Sequence, residues 1–361
     1  MKVVALEFLV CPLTKQSLKM KVFQGYPNEE PFQEVIDGVL ISENREFTYP
    51  IINGVPRMLP PHLIKHLVND YPEFFDKYSA QLNELQVNSS SQDDQTQRHT
   101  QEAFGYEWTW AADYDANNFS DWLPTGFTQS DLFKDKLGLE VGCGAGRHAE
   151  NTSTLARTHF AVDLSRAVDS AFERNRFSLN CHVIQADAFY LPFREETFEY
   201  VYCLGVLQHM HDPPNGFKML SKFPKKSGIL LVNVYQAGRP FTVGTLSLIR
   251  KITTRLPNET LRLLSVIAGY IEYYVFILPW KLLKRTFLSK VLRPIVPNRV
   301  DEYSRHSLKT IIVDWFDRLS CPVKIHYSKE NLEGWYKMHG YESIKVTPYW
   351  KAFWNGYGVR K

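Results

Sequence analysis

A glycine-rich stretch, Leu139-Glu-Val-Gly-Cys-Gly-Ala-Gly-Arg-His148, restricts the fold of this 361-residue chain more than any other feature. Leu137, Leu139 and Val141 predict a short buried strand. Three glycines follow at alternate positions: Gly142, Gly144 and Gly146. Glycine adopts turn conformations that other residues rarely adopt, and it lets a ligand approach the main chain. The N–H groups at the start of the next helix then face that ligand. The stretch therefore predicts a parallel strand that turns sharply into a helix beside a bound ligand.

Three later segments place further polar groups at the same edge of the predicted sheet. Thr158–Leu164 is a predicted strand ending at Asp163, whose carboxylate can accept both hydroxyls of a ribose. A third predicted strand, Cys181–Ala188, ends at Asp187, which can accept a hydrogen bond from an adenine amino group. Phe198–His209 is a fourth strand that opens into the mouth of the site. The spacing excludes a dinucleotide loop of the G-x-G-x-x-G type, because position 147 is Arg147.

The pattern E-x-G-x-G-x-G from Glu140, with these strands in this order, resembles motif I and the following motifs of class I S-adenosyl-L-methionine (SAM) methyltransferases. The resemblance covers residues 101–361 and implies an α/β, Rossmann-like sheet of seven strands, with a helical insertion after strand 5. It implies SAM as cofactor, with Glu140 supporting the glycine loop and the methionine ammonium. Arg147 either meets a carboxylate or is a solvated first-turn residue. The implied cofactor-binding residues are Glu140, Gly142, Cys143, Gly144, Gly146, Arg147, Asp163, Leu164, Asp187, Ala188, Leu204, Gly205 and Gln208.

Residues 1–60 predict a separate, small α+β domain. Asp37-Gly38 is a hairpin signal between predicted strands at 32–36 and 39–41. The segment resembles the zinc-ribbon-like domain that partners and activates some tRNA, ribosome and release-factor methyltransferases. Cys11-Pro12 matches that family, but Thr14 stands where a second cysteine is expected, and the next cysteine is Cys143. We therefore expect a domain without zinc, in which Cys11 packs in the core rather than binding a metal.

Residues 61–100 predict a helical connector followed by a polar linker. The aromatic segment 104–110 comes next. In the methyltransferases that it resembles, such a segment folds over the cofactor, which would place Tyr106 and Trp108 in the substrate cleft. The alternative is a hydrophobic lid packed on the domain surface.

Residues 237–307 predict a helical insertion that caps the substrate. Leu261–Leu278 is strongly apolar, but it contains Glu272 and falls short of the ~20 apolar residues that span a bilayer. Residues 280–293 mix apolar positions with cations and contain no acid, as interfacial membrane helices do. Two hypotheses remain: a cap that also touches anionic lipid at 261–293, and a soluble cap packed on the catalytic domain. The sequence favours the second. A helix at 308–319 and strands at 341–347 and 353–359 are expected to complete the core.

Composition limits the location and the partners. The five cysteines are scattered and form no C-x-x-C pair, which fits a reducing cytoplasm. The N-terminus lacks the apolar core of a signal peptide. A formal charge of +3 is too small to indicate nucleic acid. We therefore expect a cytoplasmic protein, with peripheral membrane contact as the alternative. The oligomeric state is not predicted.

Methyl transfer from a sulfonium is an in-line displacement, and its neutral leaving group needs no acid. A base is needed only if the acceptor must lose a proton. His209 and His211 follow the fourth strand and are the candidate bases. The alternative for His209 is packing against the cofactor or holding its loop. Asp317 and Tyr327 are weaker candidates for substrate contact, from resemblance to bacterial methyltransferases with an F-D-x-L-S segment.

The predicted function is SAM-dependent methylation of a small-molecule or lipid-like acceptor in a biosynthetic pathway. The arrangement is similar to bacterial methyltransferases of specialised-metabolite, glycan or lipid biosynthesis. One alternative is a tRNA or protein methyltransferase. Against it, Cys203-Leu-Gly-Val stands where those relatives have an N-P-P-Y type motif. Another alternative keeps SAM but not methylation, as in a cyclase, a decarboxylase or a binding protein.

Overall fold

The computed structural model describes residues 1–25, 34–83, 95–113, 119–237, 240–349 and 352–361. The chain divides into two compact units. The sheet unit comprises Met1–Thr109, Asn118–Ala237 and Val323–Lys361, and the helical unit comprises Trp110–Asn117 and Gly238–Pro322.

The sheet unit contains twelve strands among the described residues. They are β1 (Leu18–Gly25), β2 (Val35–Ser42), β3 (Thr48–Ile52), β4 (Val55–Met58), β5 (Leu137–Val141), β6 (Thr158–Asp163), β7 (Cys181–Ala186), β8 (Phe198–Leu204), β9 (Pro224–Gln236), β10 (His326–Tyr327), β11 (Tyr341–Tyr349) and β12 (Phe353–Arg360). Seven of them follow the order β7-β6-β5-β8-β9-β12-β11, with β12 antiparallel to both neighbours. The predicted seven-stranded class I sheet is confirmed. The short β10 pairs with β9 in parallel.

Helices of the sheet unit flank these strands. They are α1 (Pro61–Ile64), α2 (Leu67–Asp70), α3 (Pro72–Lys77), α4 (Ser79–Asn83), α5 (Gln95–Trp110, whose last residue is assigned to the helical unit), α6 (Gln129–Phe133), α7 (Arg147–Ser153), α8 (Ala167–Asn175), α9 (Pro213–Leu220) and, later in the chain, a helix at Lys329–Met338. Short 3₁₀ turns lie at Val3–Glu7, Phe119–Trp122 and Leu207–His209. The helical connector predicted after residue 60 corresponds to α1–α4, and most of the predicted polar linker, 84–94, lies outside the described residues.

The sequence predicted a separate N-terminal domain, but the N-terminal strands join the main sheet. β4 pairs in parallel with β7, through Arg57 opposite Gln185 and Met58 opposite Ala186, so β1–β4 continue the sheet. The predicted hairpin at Asp37-Gly38 is wrong, because β2 runs straight through it and pairs with β1 and β3. Gly38 lets β1 approach closely, because a Cβ there would lie only 2.6 Å from the Lys21 carbonyl oxygen of β1. The part of that prediction at 32–33 lies outside the described residues.

The helical unit is built from α10 (Pro240–Thr253), α11 (Asn258–Ile271), a π-helical turn (Glu272–Ile277), α12 (Leu278–Leu283), α13 (Leu288–Leu292), α14 (Asn298–Tyr303) and α15 (Leu308–Ser320). The predicted boundary at 307 and the assignment of helix 308–319 to the core are wrong, because α15 belongs to this unit. The physical reason is a set of polar contacts. Arg299 Nη2 donates to Asp314 on α15 at 2.7 Å, and Trp315 Nε1 donates to Glu272 at 2.7 Å. The role of this unit as a substrate cap stays a prediction.

Candidate functional site

The glycine stretch forms the predicted turn from strand β5 into helix α7. Gly142, Gly144 and Gly146 all have positive φ, at 84°, 51° and 76°, a region that disfavours side chains. The N–H groups of Gly142 and Cys143 donate to the Val162 carbonyl at 2.7 and 3.0 Å, which ties the turn to β6. Burial raises the pKa of the Cys143 thiol well above its usual value, so this side chain stays protonated.

Asp163 holds the tip of β6 against the glycine turn. Its Oδ2 accepts from the Gly144 N–H at 2.9 Å, and its Oδ1 accepts from the Ser165 N–H and hydroxyl at 2.8 and 2.7 Å. Burial raises the pKa of Asp163, while the hydrogen bonds from Ser165 and Gly144 oppose that shift. Carboxylate oxygens accept more than one hydrogen bond, so these contacts leave acceptor capacity. The ribose-binding role stays a prediction.

The ends of β6 and β7 are joined by side-chain amides. The Leu164 carbonyl accepts from Gln101 Nε2 at 3.0 Å and from Gln185 Nε2 at 2.9 Å. Asp187 is 2% exposed and its Oδ1 accepts from the Phe189 N–H at 2.9 Å, with Ala188 half-buried between them. The predicted adenine-binding strand end is therefore a hydrogen-bonded turn, and its contact with adenine stays a prediction.

Glu140 lies inside the sheet unit rather than at the glycine turn. Its side chain is 2% exposed. Its Oε2 accepts from the Tyr202 hydroxyl at 2.9 Å and lies 3.5 Å from His159 Nε2. These partners stand on the neighbouring strands β8 and β6, so the contacts favour a structural role over the predicted contact with a methionine ammonium.

Helix α5 lies against the glycine turn. The Trp108 indole is 3.3 Å from the position that a Cβ on Gly144 would take, and the Arg147 guanidinium lies 5.9 Å from the centre of the Trp108 ring. Gly105, one turn earlier, approaches Ser165 just as closely, at 3.4 Å from its Cβ position to the Ser165 Cβ. The aromatic segment thus covers the edge where β5 and β6 end. Tyr106 is half-buried on the same helix.

Two buried polar atoms without a partner stand at the end of β8. Gly205 has φ 75°, and its Cβ position would lie 3.4 Å from the Trp122 ring and 4.0 Å from Gln208 Nε2. Trp122 Nε1 and Gln208 Oε1 are buried, and neither has a hydrogen-bond partner among the described residues. Leu204, at the end of β8, is half-buried beside them. One donor and one acceptor are therefore left for a ligand that carries both kinds of group.

An aromatic cluster that the sequence did not predict extends this end of the sheet. Tyr235 lies at the end of β9, with ring centroids 4.9 Å from Phe353, 5.5 Å from His326 and 5.5 Å from His209. Trp122 lies 5.3 Å from Phe353. These residues come from distant parts of the chain, and the only sequence signal was an aromatic content of 14%.

The two candidate bases differ in environment. His209 is 6% exposed, and its Nδ1 lies 2.8 Å from the Val323 carbonyl oxygen. A carbonyl only accepts, so Nδ1 carries the proton, and Nε2 is the basic nitrogen of the neutral ring. Its ring packs edge-on against Phe104 at 5.1 Å. His211 is exposed, and its ring packs at a tilt against Phe189, with the ring centroids 4.7 Å apart.

The remaining candidates lie on other elements. Tyr327 is on β10 with its ring 4.7 Å from Trp335, and burial raises its pKa to about 12, so it remains a neutral phenol at pH 7. Asp317 is on α15 of the helical unit. Substrate contact by either residue stays a prediction.

Comparison with known families matches residues 139–232 to the methyltransferase domain family and residues 5–54 to the Trm112p-like protein family. Three relatives illustrate these matches. The mitochondrial ubiquinone biosynthesis O-methyltransferase of Schizosaccharomyces pombe is 26% identical over 162 residues, which are 43% of this chain and 55% of that protein. Human mitochondrial protein preY is 42% identical over 55 residues, 15% of this chain and 37% of that protein. A SAM-dependent methyltransferase structure from Aquifex aeolicus is 12% identical, with a TM-score of 0.40, and covers 70% of this chain and 98% of that one.

This chain spans between 29% and 55% of the length of the curated relatives that it matches. The fold assignment rests on the strand order and on the glycine turn described above. Residues 139–232 therefore match a methyltransferase domain, and residues 5–54 match a Trm112p-like protein.

Proposed function

We propose that this protein transfers a methyl group from SAM to a small-molecule or lipid-like acceptor in a biosynthetic pathway of the cytoplasm. The observation that carries the proposal is the glycine turn held by Asp163, within a matched methyltransferase domain. Bound SAM supplies a methyl group on a sulfonium, whose leaving group is a neutral thioether. The protein's task is then to position the two reactants and to exclude water.

The residues present fit the cofactor. The amino-acid end of SAM carries an ammonium, which donates hydrogen bonds, and a carboxylate, which accepts them. Gln208 Oε1 is the buried acceptor and Trp122 Nε1 the buried donor that lack partners beside Gly205. The three positive-φ glycines leave the main chain open to close approach. Asp163 and Asp187 are the acceptors for the ribose and the adenine amino group.

The acceptor class follows from the aromatic cluster at the ends of β8 and β9. Tyr235, Phe353 and Trp122 offer apolar ring surface there, which favours an apolar or aromatic acceptor over a long polyanion such as RNA. A matched relative is named for O-methylation in ubiquinone biosynthesis, which is in keeping with such an acceptor. If the acceptor is a hydroxyl, His209 Nε2 is the nitrogen that takes its proton.

The variant Trp122→Phe tests the cofactor assignment. It keeps an aromatic ring and removes only the N–H, which has no hydrogen-bond partner among the described residues. A hydrogen bond to a charged group contributes about 1.5–3 kcal/mol, so SAM affinity measured by calorimetry should fall about tenfold or more, with no loss of thermal stability. Trp335→Phe, which makes the same substitution on the helix Lys329–Met338, is the matched control. Equal affinity in both variants would contradict the assignment.

Incubation with methyl-labelled SAM and cell extract tests the acceptor class. The extract is afterwards separated into small-molecule, lipid, RNA and protein fractions. We expect label in the small-molecule or lipid fraction. Label confined to RNA or protein would replace the proposed acceptor class, and SAM binding without any methyl release would favour a non-methylating reaction.

A further inference from the structure

The helical unit carries a long apolar surface that faces outward. Residues Asn258–Leu283, through α11, the π-turn and α12, form a helix long and apolar enough to cross a membrane, yet only 22% of its most apolar window is buried. Between 263 and 282 its exposed positions carry no charge. They are Leu263, Leu264, Ile267, Tyr270, Ile271, Tyr274, Val275, Phe276, Pro279 and Leu282. We call this set the apolar face. Apolar patches of this length on a water-exposed surface mark an interaction site.

The acid that interrupts the apolar sequence does not interrupt this face. Glu272 is 12% exposed and forms a two-pronged ion pair with Arg299, at 2.6 and 2.9 Å, and it accepts from Trp315 Nε1 at 2.7 Å. These partners lie inside the helical unit, on α14 and α15. In the sequence, Glu272 counted as an interruption of the apolar run, whereas in the structure its side chain is turned inward. The π-turn that begins at Glu272 presents Tyr274, Val275 and Phe276 together on the outside, each more than half exposed.

A basic segment follows the apolar face directly. From Leu278 to Ile295 the chain has five cations and no acid. Lys284 pairs with Asp301 at 2.8 Å, whereas Arg285, Lys290 and Arg293 are exposed and form no ion pair with any described residue. Three large apolar side chains stand among them, and these are among the most exposed of the chain: Phe287 at 78%, Val291 at 69% and Ile295 at 75%.

The charge of this segment identifies what covers the surface. A second copy of the chain paired through the same surface offers no acid to these cations, because neither the exposed positions of the apolar face nor residues 278–295 carry one. An anionic bilayer complements both features, since it accepts apolar side chains at the acyl boundary and attracts cations at the headgroups. The helix does not span the bilayer, because its other side packs in the unit: a Cβ on Gly269 would lie 2.6 Å from the Ile312 side chain.

We propose that the apolar face and the basic segment together form an interfacial binding surface for anionic membranes, with the helix lying in the plane of the bilayer. The proposal stands independently of the methyl-transfer activity, because it rests on residues of the helical unit alone. It makes the protein peripheral to the membrane.

Vesicle co-sedimentation of the full chain tests the proposal. Vesicles of phosphatidylcholine with and without phosphatidylserine are compared at low and high salt. We expect binding to phosphatidylserine vesicles that weakens with salt. Each cation near an anionic surface contributes roughly a fivefold affinity gain, so Arg285→Gln with Lys290→Gln and Arg293→Gln should reduce binding on the order of 100-fold. Ile267→Gln with Ile271→Gln and Val275→Gln should abolish it.

Matched controls separate the surface from general effects. Lys19→Gln with Arg194→Gln and Lys226→Gln removes three exposed cations of the sheet unit, and Phe177→Gln with Met338→Gln removes two exposed apolar side chains there. Both controls should sediment like the parent protein, and all variants should keep its circular dichroism and SAM affinity. The proposal fails if the parent protein does not sediment at low salt, or if the surface variants and the controls lose binding equally. It also fails if light scattering shows a dimer that the apolar variant dissociates, without vesicle binding by the parent.

Discussion

Replacing Arg57 tests whether the Trm112p-like segment and the methyltransferase sheet are one folded body. Arg57 is on β4 and is fully buried. Its guanidinium donates to Gln185 Oε1 at 3.1 Å, to the Ile52 carbonyl at 3.2 Å and to Asp169 Oδ1 at 2.5 Å. It also lies 4.5 Å from the centre of the Tyr71 ring. One side chain therefore links β4 to β7 and to α8.

The expected cost of Arg57→Met is about 3 kcal/mol. Removing one partner of a buried ion pair costs about 3–5 kcal/mol. The lower end applies because the Asp169 side chain is 35% exposed and keeps the Tyr71 hydroxyl at 2.7 Å. At about 2–4 °C per kcal/mol for a body of this size, the thermal midpoint should fall by roughly 6–12 °C.

The same variant should weaken SAM binding, because Gln185 also holds the Leu164 carbonyl beside Asp163. Thermal unfolding by circular dichroism and calorimetry with SAM measure the two effects. Arg194→Met, which removes an exposed arginine, is the control. A midpoint equal to that of the control, or an early transition confined to the N-terminal segment with SAM affinity unchanged, would refute the reasoning.

Two further predictions follow from buried polar groups. Asn355→Ala removes the side-chain amide that donates to the Asp121 and Leu123 carbonyls, at 3.3 and 3.4 Å, on either side of Trp122. The free energy of unfolding should fall by about 1–3 kcal/mol, and SAM affinity should fall with it. Unchanged affinity by calorimetry would show that other contacts position Trp122. Burial lowers the pKa of His182 to about 3, so the unfolded chain binds a proton below pH 6.5 that the folded chain does not. The free energy of unfolding should therefore decrease by up to about 1.4 kcal/mol per pH unit as the pH falls from 6.5 towards 3. His182→Phe should flatten this part of a urea-denaturation series, and an identical slope in both proteins would contradict the assignment.

Local features of the sequence predicted the centre of the fold well. The strand β5, the glycine turn and the ends of β6 and β7 all follow from short apolar runs and from glycines that the backbone geometry requires. The failures were non-local. Asp37-Gly38 has the residues of a hairpin, but the neighbouring strand β1 approaches Gly38 and keeps β2 straight. The partners of Glu140, Tyr202 and His159, also come from other strands, and its contact with the methionine ammonium stays a prediction.

The missed part of the site has the same cause. Trp122, Tyr235 and Phe353 meet only because the 119–122 turn, β9 and β12 lie side by side in the folded unit. No spacing of residues along the chain predicts this contact. A buried hydrogen bond supports the arrangement: Asn233 on β9 donates to Asn355 at 2.6 Å, and Asn355 in turn donates to the carbonyls on either side of Trp122.

The N-terminal segment shares its hydrophobic core with the main sheet. Cys11 is fully buried with its thiol 3.2 Å from the Tyr49 hydroxyl, and its neighbours belong to one core that also contains Leu139, Val162 and Ile184 of the main sheet. A segment of about 60 residues buries a small apolar core and is marginally stable alone. Sharing a core with β5–β7 adds to that burial. We therefore expect residues 1–60, expressed alone, to show the circular dichroism of an unfolded chain, with or without added zinc, while the full chain shows one cooperative transition. A fragment that folds by itself, or only when zinc is added, would contradict this account of how the domain is held.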